Sequence, residues 1–183
     1  ISAFRVAALT EKLHSVWGTV RGDSTERRAF ITKLKSSLTR ESLAAADLKA
    51  GRLLFTSLCS TCHTLYGEGG KLGPDLTGSQ RHELDYLLEN IADPGAVVSA
   101  DFKMSIVRLK DGSAAGGIIA GRTDATLTLR EPAGPRTIET SAIAGIETSE
   151  DSIMPAGLLE VLPPDQTAAL IAYLMHPSQV PLQ

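Results

Sequence analysis

Aromatic side chains are scarce in this chain, with four Phe, three Tyr and one Trp among 183 residues. An interior short of rings is easier to fill if a large flat group occupies its middle. Cysteine is scarcer still, at two, so one use of both leaves none for a second purpose. No charge of either sign dominates: the formal net charge is −3, which argues against a broad basic face for nucleic acid. No apolar run approaches the ~18 residues needed to span a bilayer. What is present is a 43% hydrophobic fraction, enough for a real core in one ordinary domain or two small ones. The chain opens at Ile1 with no export-signal pattern, as expected of a mature form or an excised fragment.

Both cysteines fall in one run, Cys59-Ser60-Thr61-Cys62-His63. Two thiols three positions apart can each add across a vinyl group of one haem, and the histidine after them can put an imidazole nitrogen on the iron. This is the attachment pattern of c-type haem. Two other readings exist. A structural zinc site needs four ligands, usually from two clusters, but His14, His82 and His176 are scattered singly. A thioredoxin-like pair would follow a strand, whereas the residues before Cys59 read as helix. Covalent haem attachment takes place outside the cytoplasm, so a periplasmic or otherwise exported protein is expected.

Along the chain, Val6, Leu9, Leu13 and Val16 recur at helical spacing over residues 3–17. Gly18 to Gly22 break that helix, and Asp23 with Glu26 forms a capping-box pattern for a second one ending near Ser37. Asp47 can cap a helix containing Gly51, Leu54, Phe55 and Leu58, which delivers the chain to Cys59. The glycine-rich stretch from Gly67 to Gly73, ending Gly73-Pro74-Asp75-Leu76, can wrap closely around a cofactor edge. Ser79 is placed to cap a helix with Leu84, Leu87, Leu88 and Ile91 on one face, stopped by Asp93-Pro94-Gly95. From about Ala100 the period changes to two. Asp111-Gly112 marks a hairpin, Thr126 to Leu129 alternate, Pro132 to Pro135 turn, and Thr137 to Ile146 hold two further strand candidates. Four or five short strands suggest a small barrel or curled antiparallel sheet. A last helix carries Leu170, Ile171, Tyr173 and Leu174.

With His63 on one face of the iron, the other face falls to a second side chain, water or a small molecule. A thioether there raises the reduction potential and blocks substrate access. Met104 alternates with strand residues, while Met175 and His176 close the last helix and His82 sits in a helix's first turn. Met154 differs, because it lies in a loop before Pro155, which keeps the preceding residue extended. Packing in the core remains the plain alternative for a lone methionine.

The chain resembles a class I c-type cytochrome in its Gly51/Phe55 helix, Cys-x-x-Cys-His run, Gly-Pro-Asp-Leu loop, Met154-Pro155 pair and final Ala172-Tyr173-Leu174 helix. More narrowly, it is similar to the haem-binding domain found in planctomycetes and related bacteria. The similarity runs through His63–Lys71, Gly73–Gly78, Tyr86–Ile91 and Ser152–Leu159. Such domains often end large dehydrogenases, so the first helices would be the remnant of a preceding repeat. The resemblance implies that the Pro74 carbonyl accepts a hydrogen bond from the His63 ring. The stretch from His63 to Met154 is longer than in a simple cytochrome of this class, and removing the β segment restores an ordinary length.

The resulting expectation is a mainly α chain with the class I cytochrome c helical fold around one haem, carrying an inserted small antiparallel β-sheet or barrel. Residues 1–46 would form an N-terminal helical pair or linker. The cytochrome domain would span 47–183, with the insertion at about 100–147. The expected cofactor is one covalently attached haem c, held by Cys59, Cys62, His63, Gly73, Pro74, Leu76 and Met154, with His63 and Met154 on the iron. The apolar pocket would come from Leu58, Leu72, Leu76, Leu87, Ile91 and Leu158, with Phe55 and Tyr173 at the helix crossing. The expected role is single-electron transfer, not catalysis, with a dehydrogenase or another cytochrome as redox partner. A haem-based sensor or enzyme with an open sixth position is the alternative. The β segment could serve as a docking module, with a plain structural insertion the simpler reading.

Overall fold

The computed structural model describes residues 25–96 and 98–182. The helix expected over 3–17 and the Asp23 cap lie outside these residues. The chain divides into two compact units, one containing Asp23–Pro94 with Pro155–Gln183 and the other Gly95–Met154.

The first unit is helical. Its helices are α1 (Thr25–Ser37), α2 (Arg40–Ala44), α3 (Leu48–Leu58), α4 (Leu84–Ala92) and α5 (Pro164–Met175). Asp47 caps α3 through Lys49 N and Ala50 N at 2.9 and 3.0 Å, the role its position predicts. α5 is apolar nearly all round and buries Thr167 and every residue from Ala169 to Leu174, so it forms the centre of the unit. α3 crosses it at Gly51. A Cβ on residue 51 would lie 2.0 Å from the Ala169 carbonyl oxygen and 2.7 Å from Tyr173 Cβ, so only glycine permits this approach. Phe55 and Tyr173 rings then meet at 5.8 Å and 53°, a favourable tilted geometry. α1 lays Phe30, Ile31 and Leu34 on the same core. Arg27–Asp93 and Lys35–Asp85 ion pairs tie its two ends to opposite ends of α4.

The start of α4 differs from expectation. Ser79 does not cap it, because its hydroxyl donates to the Leu76 carbonyl at 2.9 Å. Arg81 is buried instead of lying on a helix surface. The helix begins after Glu83, which makes no side-chain cap.

The first unit also holds a small hairpin of β1 (Thr64–Leu65) and β2 (Glu68–Gly69). The strands of the second unit are β3 (Lys103–Leu109), β4 (Ala114–Arg122), β5 (Thr126–Glu131), β6 (Gly134–Glu139) and β7 (Ile143–Ser152), and they form an antiparallel sheet of order β6-β5-β4-β3-β7. The Asp111-Gly112 hairpin joins β3 to β4, with the Asp111 carboxylate accepting from Ser113 N and Oγ. The Thr126–Leu129 alternation places Leu127 and Leu129 inward with Val107, Ala115 and Ile138. Pro135 sits within edge strand β6, where a missing N–H costs least. The turn before it is therefore shorter than the 132–135 segment expected. β7 continues past residue 147 because Ser152 pairs with Lys103.

The mainly α expectation is overturned. Among the described residues five helices stand beside a five-stranded antiparallel sheet, and the sheet owns a core separate from that of the helices. The chain is mixed α and β, not a class I cytochrome c helical fold with a minor insertion. The physical reason is size: five strands with regular alternation bury enough aliphatic surface to form a compact body.

Candidate functional site

The site grows from the end of α3. Cys59 closes the helix with its N–H on the Phe55 carbonyl, and Ser60 N reaches the same oxygen at 2.9 Å. Cys62 N and His63 N then both donate to the Cys59 carbonyl, at 3.0 and 2.9 Å. This tight turn presents two thiols and an imidazole from five consecutive residues.

Both cysteines are free thiols and partly buried. Burial, with the neighbouring Cys62 adding to it, pushes the Cys59 thiol up to about 12. A dithiol redox centre works through a lowered thiol, so this environment disfavours thioredoxin-like chemistry. Among the described residues no group of three or more His, Cys, Asp or Glu could hold a metal ion. The Cys-His turn therefore has no second cluster there to complete a zinc site.

After His63 the chain forms a small hairpin, β1 (Thr64–Leu65) against β2 (Glu68–Gly69). Its two turn residues are Tyr66 (φ 53°) and Gly67 (φ 79°), the signs of a type I′ turn. The returning loop runs alongside residues 62–66. Gly73 N donates to Cys62 O at 2.7 Å, Leu76 N to Thr64 O at 2.8 Å, and Tyr66 N to Thr77 Oγ1 at 2.8 Å. Within this frame His63 Nδ1 lies 2.9 Å from the Pro74 carbonyl. A carbonyl only accepts, so Nδ1 carries a proton, and in the neutral imidazole Nε2 then keeps its lone pair, as a metal ligand requires. Gly73 makes the arrangement possible. A Cβ there would lie 2.7 Å from ring Cε1 and 2.9 Å from Nδ1, so any side chain would displace the imidazole.

Of the apolar residues expected to line the pocket, Leu72 and Leu87 are buried, Leu76 and Ile91 pack on the helical core, and Leu158 is partly buried. Leu58 is 38% exposed at the end of α3, an apolar side chain held at the surface beside the thiols. Met154 is partly buried, with its N–H on Ser152 Oγ at 3.1 Å, and is the last residue of the sheet unit. Met104 pairs with Ile118 inside the sheet. Met175 packs on the helical core, His176 turns its ring to the Ser178 carbonyl, and exposed His82 lies beside Glu83.

A cluster that the sequence did not point to lies beyond the hairpin. Arg81 donates to the Leu174 carbonyl at 2.7 Å and to that of His176, and its guanidinium stands 4.8 Å from the Tyr66 ring centre. The Tyr66 hydroxyl donates to the same His176 carbonyl. Burial raises the Tyr66 phenol above its ordinary value, against the pull of Arg81. An arginine reads as a surface residue by default, and nothing in its neighbours signalled otherwise.

The donor set suits a covalently attached haem: two unpaired thiols, an imidazole whose free nitrogen is Nε2, and a glycine that keeps the ring face clear. No protein-family model matches the chain.

Proposed function

We propose that this chain is a mono-haem c-type electron-transfer protein or domain, with Cys59 and Cys62 as thioether anchors and His63 Nε2 as an axial ligand. The observation that carries this reading is the 2.9 Å bond from His63 Nδ1 to the Pro74 carbonyl. It fixes the tautomer and orientation of the one imidazole that follows both thiols, and it increases that ligand's basicity. A haem bound there supplies a one-electron ferric/ferrous couple. Burial pushes the Cys59 thiol up to about 12, away from the thiolate character of a redox cysteine. Gly73 and Pro74 hold the imidazole, and Leu76 ties their loop to the helical core.

For the second axial position we propose Met154, on its place before Pro155 where the chain leaves the sheet unit for the helical one. A dehydrogenase or a second cytochrome is the proposed partner, and an exported location follows from the attachment chemistry.

Visible spectra of the chain, matured by an export and haem-attachment system, test both assignments. The expected product keeps its colour through acid denaturation, loses it when Cys59 and Cys62 are both Ala, and shows a far-red sulfur–iron band that Met154→Ala removes. Two titratable thiols per matured chain would end the haem assignment. An unchanged Met154→Ala spectrum would remove only the methionine. Rapid, complete carbon monoxide binding to the reduced protein would favour an open sixth position instead.

A further inference from the structure

The loop that carries Pro74 is pinned to the segment after His63 at four successive points: 62 with 73, 63 with 74, 64 with 76, and 66 with 77. The first and third bonds are backbone to backbone, and the second is the ring bond itself. The fourth depends on a side chain. Tyr66 N donates to Thr77 Oγ1 at 2.8 Å, and Tyr66 is a non-glycine residue in left-handed backbone (φ 53°). Thr77 is itself held by Asp75, whose carboxylate accepts from Thr77 N at 2.8 Å. The Thr77 hydroxyl therefore accepts from the hairpin turn, while the backbone N–H of the same residue is anchored to a carboxylate next to Pro74. The two segments flanking the imidazole are joined through this residue.

We propose that Thr77 is a positioning residue. Its hydroxyl holds the Pro74 carbonyl in register with His63 Nδ1, and through that bond sets how strongly the imidazole donates to a metal on Nε2. The iron part of this claim rests on the haem assignment made above; the ring part does not. A shorter, better-aligned ring bond makes the imidazole a stronger donor, stabilises the ferric state and lowers the reduction potential. Releasing the loop does the reverse.

The test uses the haem-loaded protein with Thr77→Val, which keeps the shape and loses the hydroxyl, and Thr77→Ser, which keeps the hydroxyl. The reduction potential is titrated, and solvent exchange of the His63 ring proton is followed by NMR with ¹⁵N-labelled histidine in the reduced, diamagnetic protein. Thr77→Val should raise the potential and speed ring-proton exchange roughly fivefold to tenfold, about what loss of one hydrogen bond allows. Thr77→Ser should restore both. If Thr77→Val fails to fold, Asp75→Ala, which removes the carboxylate that holds the Thr77 N–H, should move both readouts in the same direction. Unchanged potential and exchange in whichever variant folds overturns the proposal, as does a Thr77→Ser protein that behaves like Thr77→Val. If the wild-type chain takes up no haem, the haem assignment falls, while ring exchange in the haem-free chain still decides whether Thr77 holds the imidazole.

Discussion

The thiol of Cys59 holds its proton where an exposed thiol would ionise. Its ordinary value is 9.0, and burial moves it to about 12 in the folded chain. Below pH 9 both folded and unfolded chains carry the proton and the group is silent. Between 9 and 12 the unfolded chain gives it up while the folded chain keeps it, so stability falls as pH rises through that window. Tyr66 and Tyr173, also raised by burial, push in the same direction at high pH. The informative quantity is therefore a difference. The haem-free chain should lose urea stability between pH 9 and 11 more steeply than its Cys59→Ala variant. Parallel slopes would show that the folded state does not shield the thiol. In the haem-loaded protein both sulfurs would be thioethers, and the difference should vanish. At this scale the sequence was legible where the candidate site is made of adjacent residues: Cys59, Cys62 and His63 stand out by spacing alone. Pro74 came from resemblance, and the His63 ring does lie against its carbonyl. Thr77 and Arg81 were not legible, because their roles depend on a turn conformation that brings residues 66 and 77 or 81 and 176 together.

Between elements, the crossing of α3 over α5 does most to hold the helical unit together and to place Cys59 at the end of α3. Gly51→Ala would drive a methyl group to 2.0 Å from the Ala169 carbonyl. Backbone cannot yield as a side chain end can, so the helices must part and the Phe55–Tyr173 contact must loosen. We expect a loss of roughly 2–4 kcal/mol in chemical denaturation, the upper range of overpacking costs. Leu53→Ala, on the exposed side of the same helix at 56% exposure, should stay within about 0.5 kcal/mol. A Gly51→Ala protein as stable as wild type would mean that the close approach is not required. The helices themselves were largely readable. Asp47 announced α3, and the apolar set Leu170, Ile171, Tyr173 and Leu174 announced α5. The start of α4 was not, since Ser79 offered a cap by residue type while its hydroxyl was already used on Leu76. Local chemistry identifies a possible cap, but only the fold decides which backbone group takes it.

For the whole molecule, the decisive fact is that each unit has its own apolar core. Alternation in the sequence revealed which faces of the strands would be buried, yet it could not say against what. Four or five strands were therefore readable one by one, while their combined weight in the fold class was missed. Leu127 and Leu129 are fully buried among Val107, Ala115 and Ile138, and no member of that cluster belongs to the helical core. Leu129→Ala should open a cavity costing about 2–5 kcal/mol. Because the described apolar cluster around Leu129 is built from sheet residues, the cost should fall on the sheet. Native-state hydrogen exchange should speed up in strands β3 to β7 while amides of α3 and α5 keep their protection. The proposed haem anchors are on the helical unit, so thioether formation at Cys59 and Cys62 should survive the substitution. The far-red band proposed for Met154 should weaken, since that residue ends the segment belonging to the sheet. Loss of protection in α3 and α5 together with the strands would show a single cooperative body and refute the division of stability argued from the two cores.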